Sequence, residues 1–493
     1  MNPSFSQAAR HTLDGTIWGM LSEGLALPTG FLIIVFLTRK LGPAGYGLYT
    51  LAVVPIIWIE SSIGALFTRA TIKLVSEAED WKPIGASLAL MHLVTGCGAA
   101  CLLWLTAKPI ATFMGEPAMA EYLRLFAFDI PLFALILAHK YILVGLGGFR
   151  QRALTSAGRL LARLILIVLL VELGLSVSGA ILGNIGASLV ELAICRYYIR
   201  PAFLMRLNFP MRRFREYAVP LFLFSVSIQI CDKADIFALM AMGNTAAVAG
   251  IYGVAQNLST VPPAILAISF SPLLLSTLNR LVSSGNERSA KVMGCQAMRA
   301  IIALLPFAAM LSGAAGEITD LIFGPDYASA APLLAILIFG ALALVFVSIS
   351  SAILTAGGKP WWAFALAGPL VPLAAIGYLT MIPRLGAIGA SLATTFCAML
   401  GAVASAFVVY RMWRILPPAR TALRSLLISV IVYGIAAHWP CPGILVLLKL
   451  SVIAITVLLS YVLLGELSAA ETALLRGLVF PKATAEQNKE DNL

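Results

Sequence analysis

Long apolar segments separated by short polar ones follow one another along almost the whole chain. Most are about 20 residues or longer, the length at which a helix crosses the hydrocarbon core of a bilayer. Backbone groups in lipid need partners within their own segment, and these segments are too long and too uniformly apolar for barrel strands. The pattern therefore predicts an all-α integral membrane protein with about fourteen transmembrane helices. Their approximate bounds are 13–38, 46–70, 83–106, 120–145, 154–175, 179–200, 216–241, 248–275, 291–314, 331–355, 361–381, 386–411, 422–439 and 443–465.

The composition agrees with a membrane location. Of the 493 residues, 60% are hydrophobic and 12% are charged, whereas a soluble domain carries about a quarter charged residues. The seven cysteines form no C-x-x-C pair, and no His, Cys or carboxylate group has the spacing of a metal motif. We therefore expect no cofactor beyond a coupling ion, H+ or Na+.

The basic residues are distributed unequally when loops are assigned alternately to two sides of the membrane. Most fall on the side that holds the N-terminus, including a group assigned to the loop after the fourth span: Lys140, Arg150, Arg152, Arg159 and Arg163. The other side holds Arg39, Lys40, Lys108, Arg124, Arg384 and Lys449. Because Lys and Arg concentrate in cytoplasmic loops, both termini are predicted to be cytoplasmic. The net charge of +11 is thus a topology signal, and we expect no nucleic-acid partner.

The chain contains an internal repeat. Four glycine-containing matches occur in order at offsets of 203 to 210 residues: Gly47-Leu48-Tyr49 with Gly250-Ile251-Tyr252, Gly115 with Gly324, Gly147-Gly148 with Gly357-Gly358, and Gly183 with Gly386. The matched unit holds six spans, an even number, so the second copy has the same orientation as the first. The predicted divisions are an N-terminal lobe 1–210, a C-terminal lobe 211–415, two added helices 416–465, and a cytoplasmic tail 466–493.

The repeated stretches also carry a resemblance to a known family. The segments are "LGPAGYGLYTLA" (41–52), "AVAGIYGVAQNL" (247–258) and "FGPDYASAAPLL" (323–334). They resemble polysaccharide exporters of the multidrug/oligosaccharidyl-lipid/polysaccharide (MOP) superfamily, specifically O-antigen-type oligosaccharide flippases. The resemblance implies two six-helix lobes in a V shape, with helices 1, 2, 7 and 8 lining a central cavity. The turn at 41–52 would then form the outer rim of the cleft, although an ordinary interfacial turn explains it as well.

The resemblance further implies a function. The substrate would be an undecaprenyl-diphosphate-linked oligosaccharide, moved by alternating access from the cytoplasmic to the outer leaflet of a bacterial inner membrane. Expected partners are membrane lipids and, in the same biosynthetic system, a polysaccharide polymerase and glycosyltransferases. The protein is expected to act as a monomer.

Polar residues within the predicted spans suggest where such a substrate would bind. We predict that Lys233, helped by Arg69 or Arg39, contacts the diphosphate. Asn257 and Gln256 are predicted to bind sugar hydroxyls, although amides in membrane helices equally well join one helix to another.

Acidic residues within the spans suggest coupling to an ion. An ionised group near the bilayer centre costs about 2.5–3.5 kcal/mol on insertion scales, so such residues usually face inward. Glu23, Glu60, Asp232 and Asp235 are predicted to couple transport to a proton or Na+. A self-neutralising cluster that holds neighbouring helices together is the alternative for the residues around Lys233.

Two other classes of function compete with a flippase. A multidrug exporter of the same superfamily would share the fold and would use the acidic residues to bind amphiphilic cations directly. A membrane-bound glycan polymerase or ligase would need a large outward loop with catalytic Arg or His, and the longest outward loops here have about 16 residues. We therefore expect a transporter and no enzyme.

Overall fold

The structure, a computed structural model, describes residues 3–201, 211–356 and 360–466. Every regular element in these ranges is helical, as predicted. The helices are α1 (Pro3–Ser76), α2 (Trp81–Phe113), α3 (Met119–Ala127), α4 (Asp129–Gly145), α5 (Phe149–Leu170), α6 (Ser176–Tyr198), α7 (Met211–Ala241), α8 (Ala246–Ser283), α9 (Glu287–Ile302), α10 (Leu305–Gly313), α11 (Ala315–Phe323), α12 (Ala330–Ala356), α13 (Pro360–Ala367), α14 (Leu370–Trp413), α15 (Ala419–His438) and α16 (Leu445–Leu463). The predicted boundary at 210 and nearly all of the predicted tail lie outside the described residues.

Nine helical segments within the described ranges are long and apolar enough to cross a membrane. Three of them, Gly24–Ser76, Phe149–Tyr198 and Phe364–Trp413, have 50 residues or more. A straight helix of that size would be about 75 Å long, more than twice the roughly 30 Å of a bilayer core. Each must therefore bend back on itself. The multi-pass membrane class is confirmed, and the number fourteen stays a prediction.

Each of these three segments contains a glycine whose backbone is not helical. Gly42 has φ 66° and ψ −179°, Gly174 has φ 89° and ψ 5°, and Gly386 has φ 57° and ψ −132°. Positive φ values are readily adopted by glycine and are costly for residues with a side chain. The bends lie at or within two residues of the predicted connections between spans 1 and 2, 5 and 6, and 11 and 12.

The backbone corrects one match of the internal repeat. Ser176 has φ 49° and ψ −131°, nearly the values of Gly386, and the two positions are 210 residues apart. Gly179 and Gly389, three residues further on, both lie too close to a preceding helical turn to carry a side chain. The predicted pairing of Gly183 with Gly386 is therefore wrong by seven residues, because Gly183 lies within the regular helix α6.

Two predicted spans are interrupted. The segment 120–145 is divided into α3 and α4, and the segment 291–314 into α9 and α10. Pro131 and Pro306 follow the two interruptions, and proline has no N–H to donate to the carbonyl four residues earlier. α1 packs against both α7 and α8, so the two repeated Gly-x-Tyr motifs meet at one interface.

Candidate functional site: a cavity between the two halves of the chain

A cavity of about 530 Å³ lies where α1 and α4 meet α7 and α12. Its volume is within the range of small-molecule binding sites. Residues with side-chain hydroxyls from all four helices contribute to its lining: Ser61, Thr68, Tyr141, Ser225, Ser348, Ser351 and Thr355. Hydroxyls donate and accept hydrogen bonds, so this surface suits a ligand that is itself rich in hydroxyl groups.

The cavity has an acidic residue in its wall. Glu60, in α1, lines it beside Ser61, and its Oε1 atom is buried without a hydrogen-bond partner among the described residues. Glu60 lies 18 residues beyond the bend at Gly42, about 27 Å along the helix, and therefore in the half of the bilayer predicted to face the cytoplasm. A buried carboxylate oxygen without a hydrogen-bond partner is costly unless a proton, an ion or a ligand compensates it.

The predicted coupling residue Asp235 instead lies in a closed polar network between α7, α8 and α14. Its side chain is 0% exposed. Oδ2 accepts hydrogen bonds from the Tyr252 hydroxyl at 2.6 Å and the Thr394 hydroxyl at 3.0 Å. Gln256 donates to both carboxylate oxygens at 3.1 Å, and the Ile236 N–H donates to Oδ1 at 2.9 Å. A cation could reach Asp235 here only by displacing one of these donors.

Lys233 and Asp232 flank this network and are more accessible. The ammonium of Lys233 donates to Gln256 Oε1 at 2.9 Å and lies 3.9 Å from an Asp232 carboxylate oxygen. Gln256 also donates to the Asp232 backbone carbonyl. The structure thus brings together four of the predicted residues: Lys233, Gln256, Asp232 and Asp235. Among the described residues that line the cavity, none of these four is found.

Asp235→Asn is expected to destabilise the protein by about 1–3 kcal/mol. The asparagine amide would place a donor against the existing donors of Tyr252, Thr394 or Gln256, and a buried unsatisfied group costs this much. The thermal unfolding midpoint in detergent measures the effect. Asp232→Asn is the control, since Asp232 is 37% exposed and its loss should shift the midpoint far less. Equal midpoints for the two variants would contradict the network.

Two arginines assigned to a loop from the sequence lie in the middle of a helix. Arg159 and Arg163 are 10 and 14 residues into α5, so their assignment to the cytoplasmic loop was wrong. Arg159 Nε is 3.5 Å from Glu191, and Lys140 is 3.0 Å from the same carboxylate. Arg163 donates to the Tyr49 hydroxyl at 3.4 Å.

A further polar pair lies between the same helices, where Asn184 donates to Asp129 at 2.6 Å. The first half of the chain therefore has its own buried charge network. The spacing of Arg159 and Arg163 was the available signal, since residues four apart share a helix face and both fall inside the predicted span 154–175.

On the predicted outer side, the two repeated motifs touch through their glycines. A Cβ atom on Gly47 would overlap the carbonyl oxygen of Ala246, and one on Gly250 would overlap the carbonyl oxygen of Pro43. Each contact is the counterpart of the other at the offset of 203 residues. Side-chain substitution at either glycine would force the two helices apart.

Side chains reinforce this contact between the halves. Asn257 donates to the Tyr46 hydroxyl at 3.1 Å, and the Tyr327 hydroxyl donates to the Thr38 carbonyl at 3.3 Å. Burial raises the pKa of the Tyr327 phenol, so the hydroxyl keeps its proton. Arg39 donates to the Leu321 and Ile322 carbonyls at 3.2 Å, near the C-terminal end of α11, where cations stabilise a helix.

These contacts place the remaining predicted residues. Asn257 and Arg39 join helices on the predicted outer side and lie away from the cavity. The backbones of Glu23 and Arg69 belong to α1, and their side chains lie outside the described residues. Arg69 directly follows the cavity residue Thr68.

Comparison with solved structures identifies the fold. The chain superposes on the lipid II flippase MurJ in an inward closed conformation with a TM-score of 0.71 and 16% identity, covering 92% of this chain and 98% of MurJ. It superposes on an outward-facing multidrug resistance MATE family transporter of the MOP superfamily with a TM-score of 0.56 and 15% identity, covering 85% and 96%. The fold is that of MOP superfamily transporters.

Sequence comparison identifies the family. The family model described as "Polysaccharide biosynthesis protein" matches residues 12–277, more than half of the chain, and the protein belongs to this family. The succinoglycan biosynthesis transport protein ExoT of Rhizobium meliloti (strain 1021) is 24% identical over 336 residues, which are 65% of this chain. The match spans about 64% of the length of that relative.

Proposed function

We propose that the protein flips a polyprenyl-diphosphate-linked oligosaccharide from the cytoplasmic to the outer leaflet of the membrane. The observation that carries this proposal is the hydroxyl-lined cavity between the two halves. A glycan loses the hydration of its hydroxyls on entering hydrocarbon unless other hydrogen-bonding groups replace the water. The cavity supplies such groups at membrane depth, and the name of the relative ExoT agrees with a polysaccharide substrate.

The contacts between the halves suggest how transport would proceed. The cavity lies in the half of the bilayer predicted to face the cytoplasm, while Gly47 and Gly250 close the predicted outer side. In our proposal the glycan enters from the cytoplasm, the glycine contact separates, and the glycan leaves outward. Arg69 is the predicted diphosphate contact nearest to the cavity in the chain, and Lys233 lies on the neighbouring network.

Transport by purified protein in vesicles tests this function against the alternative exporter. The probes are a fluorescent undecaprenyl-diphosphate disaccharide and, separately, an amphiphilic cation such as ethidium. The proposal expects the disaccharide to become accessible to a glycosidase on the opposite side, with no movement of ethidium. Movement of ethidium alone would contradict the proposal and identify a multidrug exporter.

Glu60→Gln is expected to lower gradient-driven flipping at least tenfold. In our proposal Glu60 is the coupling carboxylate, because it lines the cavity and its Oε1 has no hydrogen-bond partner among the described residues. Glutamine has nearly the same shape but carries no charge, so it cannot exchange a proton and holds a cation much less tightly than a carboxylate does. The measurement compares flipping with and without an imposed proton or sodium gradient.

The control is Glu77→Gln, which removes an exposed carboxylate from the turn directly after the same helix and should leave the rate unchanged. Without an imposed gradient, Glu60→Gln should still exchange substrate between the two leaflets, because the hydroxyl groups that line the cavity are unchanged. A wild-type gradient-driven rate in Glu60→Gln would reject this role.

A further inference from the structure

The formal charge in the described lining of the hydroxyl-lined cavity is negative. Thirteen described residues line the cavity; Glu60 is the acidic residue among them, and none of the thirteen is Lys, Arg or His. Arg69 follows the lining residue Thr68 in the chain, and its side chain lies outside the described residues. The charge of the described lining therefore favours neutral groups over negative ones.

Three cations in helices around Glu60 have partners of their own. Lys140 and Arg159 pair with Glu191, at 3.0 and 3.5 Å, and Arg163 donates to a tyrosine hydroxyl at 3.4 Å. None of these three cations belongs to the described lining of the cavity. They therefore do not provide a positive surface for a negatively charged ligand there.

An aromatic ring of the lining contacts one of these cations. Phe133 lines the cavity, and the Arg159 guanidinium lies over its ring, with Cζ 5.0 Å from the ring centroid. Glu60 lines the cavity directly, whereas Arg159 contacts the ring of a lining residue. Because the interaction between two charges weakens with distance, a charged group in the cavity interacts more strongly with the carboxylate of Glu60 than with this guanidinium.

Two buried oxygen atoms at this part of the interface lack a hydrogen-bond donor among the described residues. They are Oε1 of Glu60 and Oε1 of Gln229. The Gln229 amide donates to the hydroxyl of the lining residue Ser225 at 3.3 Å. The backbone carbonyl of Gln229 accepts the indole N–H of Trp58, two residues before Glu60, at 3.1 Å.

The unpartnered oxygens indicate the same kind of ligand as the charge does. Carboxylate and amide oxygens accept hydrogen bonds and do not donate them. A ligand that satisfies Glu60 and Gln229 must therefore bring O–H or N–H groups. A neutral sugar brings such donors, whereas a sugar carboxylate brings further acceptors and a second negative charge.

We propose that the hydroxyl-lined cavity selects neutral sugars and rejects sugars that carry a carboxylate, and that Glu60 determines this selection. The inference rests on the proposed function and names the substrate class of the same cavity. Hexoses and N-acetylated amino sugars are accepted, and uronic acids are rejected. The diphosphate does not change this assignment, because it is common to all substrates of the proposed class and its proposed contact is Arg69.

The coupling role proposed for Glu60 sets the conditions of the test. A bound proton or Na+ would neutralise the carboxylate and remove its repulsion of a second negative charge. Binding is therefore measured at about pH 8.5 in choline chloride, where protons are scarce and sodium ions are absent.

Three matched probes separate the charge of a sugar from its size. Each is an undecaprenyl-diphosphate disaccharide whose terminal sugar, the one farther from the diphosphate, is glucose, glucuronate or glucuronamide. Glucuronamide has nearly the shape of glucuronate and carries no charge. Each probe competes with one fluorescent glucose-terminated probe for wild-type protein in lipid nanodiscs.

We expect wild-type protein to bind the glucose and glucuronamide probes about equally and the glucuronate probe at least about tenfold more weakly, because like charges placed together in a binding site are strongly disfavoured. Glu60→Gln should reduce this difference to about twofold or less. Glu77→Gln, which removes the exposed carboxylate, is the control and should retain the full difference.

Three results would overturn the assignment. One is equal binding of the glucose and glucuronate probes by wild-type protein. Another is equally weak binding of glucuronate and glucuronamide, because size would then be the cause. The third is a loss of affinity in Glu60→Gln that is the same for all three probes, because this residue would then support the cavity without selecting its ligand.

The binding measurement does not require flipping, so it separates this inference from the proposed function. If wild-type protein shows the selection and flips none of the probes, the proposed function fails and the selection stands. If it flips and binds the glucose and glucuronate probes equally, the selection fails and the proposed function stands. Failure to bind any of the probes overturns both.

Discussion

Gly47→Ala is expected to lower glycan flipping by more than tenfold. The added Cβ would overlap the Ala246 carbonyl oxygen, which belongs to a helix backbone and cannot rotate away. Gly250→Ala should have the same effect, because its Cβ would overlap the Pro43 carbonyl oxygen. Either change disfavours the conformation that is closed on the predicted outer side. A shift of about 1.4 kcal/mol in this equilibrium already changes the ratio of states tenfold.

Two measurements check the result. One is the rate of flipping, and the other is labelling of a cysteine placed at Ser61, in the cavity, by a membrane-impermeant maleimide added from the outer side. The native cysteines are replaced in all variants. Labelling should increase in Gly47→Ala and Gly250→Ala.

Gly30→Ala is the matched control, since Gly30 lies in the same helix as Gly47 and has open space where its Cβ would be. It should flip and label like wild type. Normal transport together with normal labelling in Gly47→Ala would show that the glycine contact is not a gate.

Glu191→Ala is expected to cause the largest loss of stability among single substitutions considered. Glu191 is 0% exposed and pairs with Lys140 and Arg159, which are 17% and 19% exposed. Removing the carboxylate leaves two cations largely buried without their partner. Breaking a buried ion pair from one side costs about 3–5 kcal/mol. The readout is the midpoint of thermal unfolding in detergent, followed by size-exclusion chromatography with fluorescence detection.

The exposed pair of Lys40 and Glu172 provides the comparison. Its atoms are closer, at 2.7 Å, but the side chains are 48% and 50% exposed. Such pairs contribute about 0–1 kcal/mol, so Glu172→Ala should barely move the midpoint. Similar midpoints for Glu191→Ala and Glu172→Ala would mean that water reaches Glu191 and that the first-half network is solvated.

Much of the fold follows from local properties of the sequence. Apolar length predicts helices, and glycine predicts where they bend, because both effects act within a few residues. The bend at Gly42 lies in the turn predicted at 41–52, whereas Gly386 was recognised only as part of the internal repeat. The sequence indicates less clearly which residue of one repeat corresponds to which residue of the other. Glycine and alanine are common throughout membrane helices, so short matches between them occur at more than one offset. The mistaken pairing of Gly183 with Gly386 shows this limit.

The site was predictable in part. Glu60 lines the cavity, as expected for an acidic residue kept within a span. Asp235 is also an acidic residue within a predicted span. Its oxygens, however, accept hydrogen bonds from side chains of α8 and α14, which the sequence alone does not place next to it. Arg159 and Arg163 were missed because the comparison of the two sides counted them with the loop, although both fall inside the predicted span 154–175. Which buried charges meet each other depends on packing between helices, which a single sequence does not contain.

The contact between Gly47 and Gly250 on the predicted outer side is formed by backbone atoms. Both partners contribute backbone atoms, so the contact itself contains nothing that acidity or ionic strength could titrate or screen. Any response of turnover to pH or salt must therefore originate at other groups, such as Glu60 or Arg39, and be transmitted to the closure mechanically. We therefore expect the strength of the glycine contact to be the same at low and high ionic strength and at neutral and acidic pH.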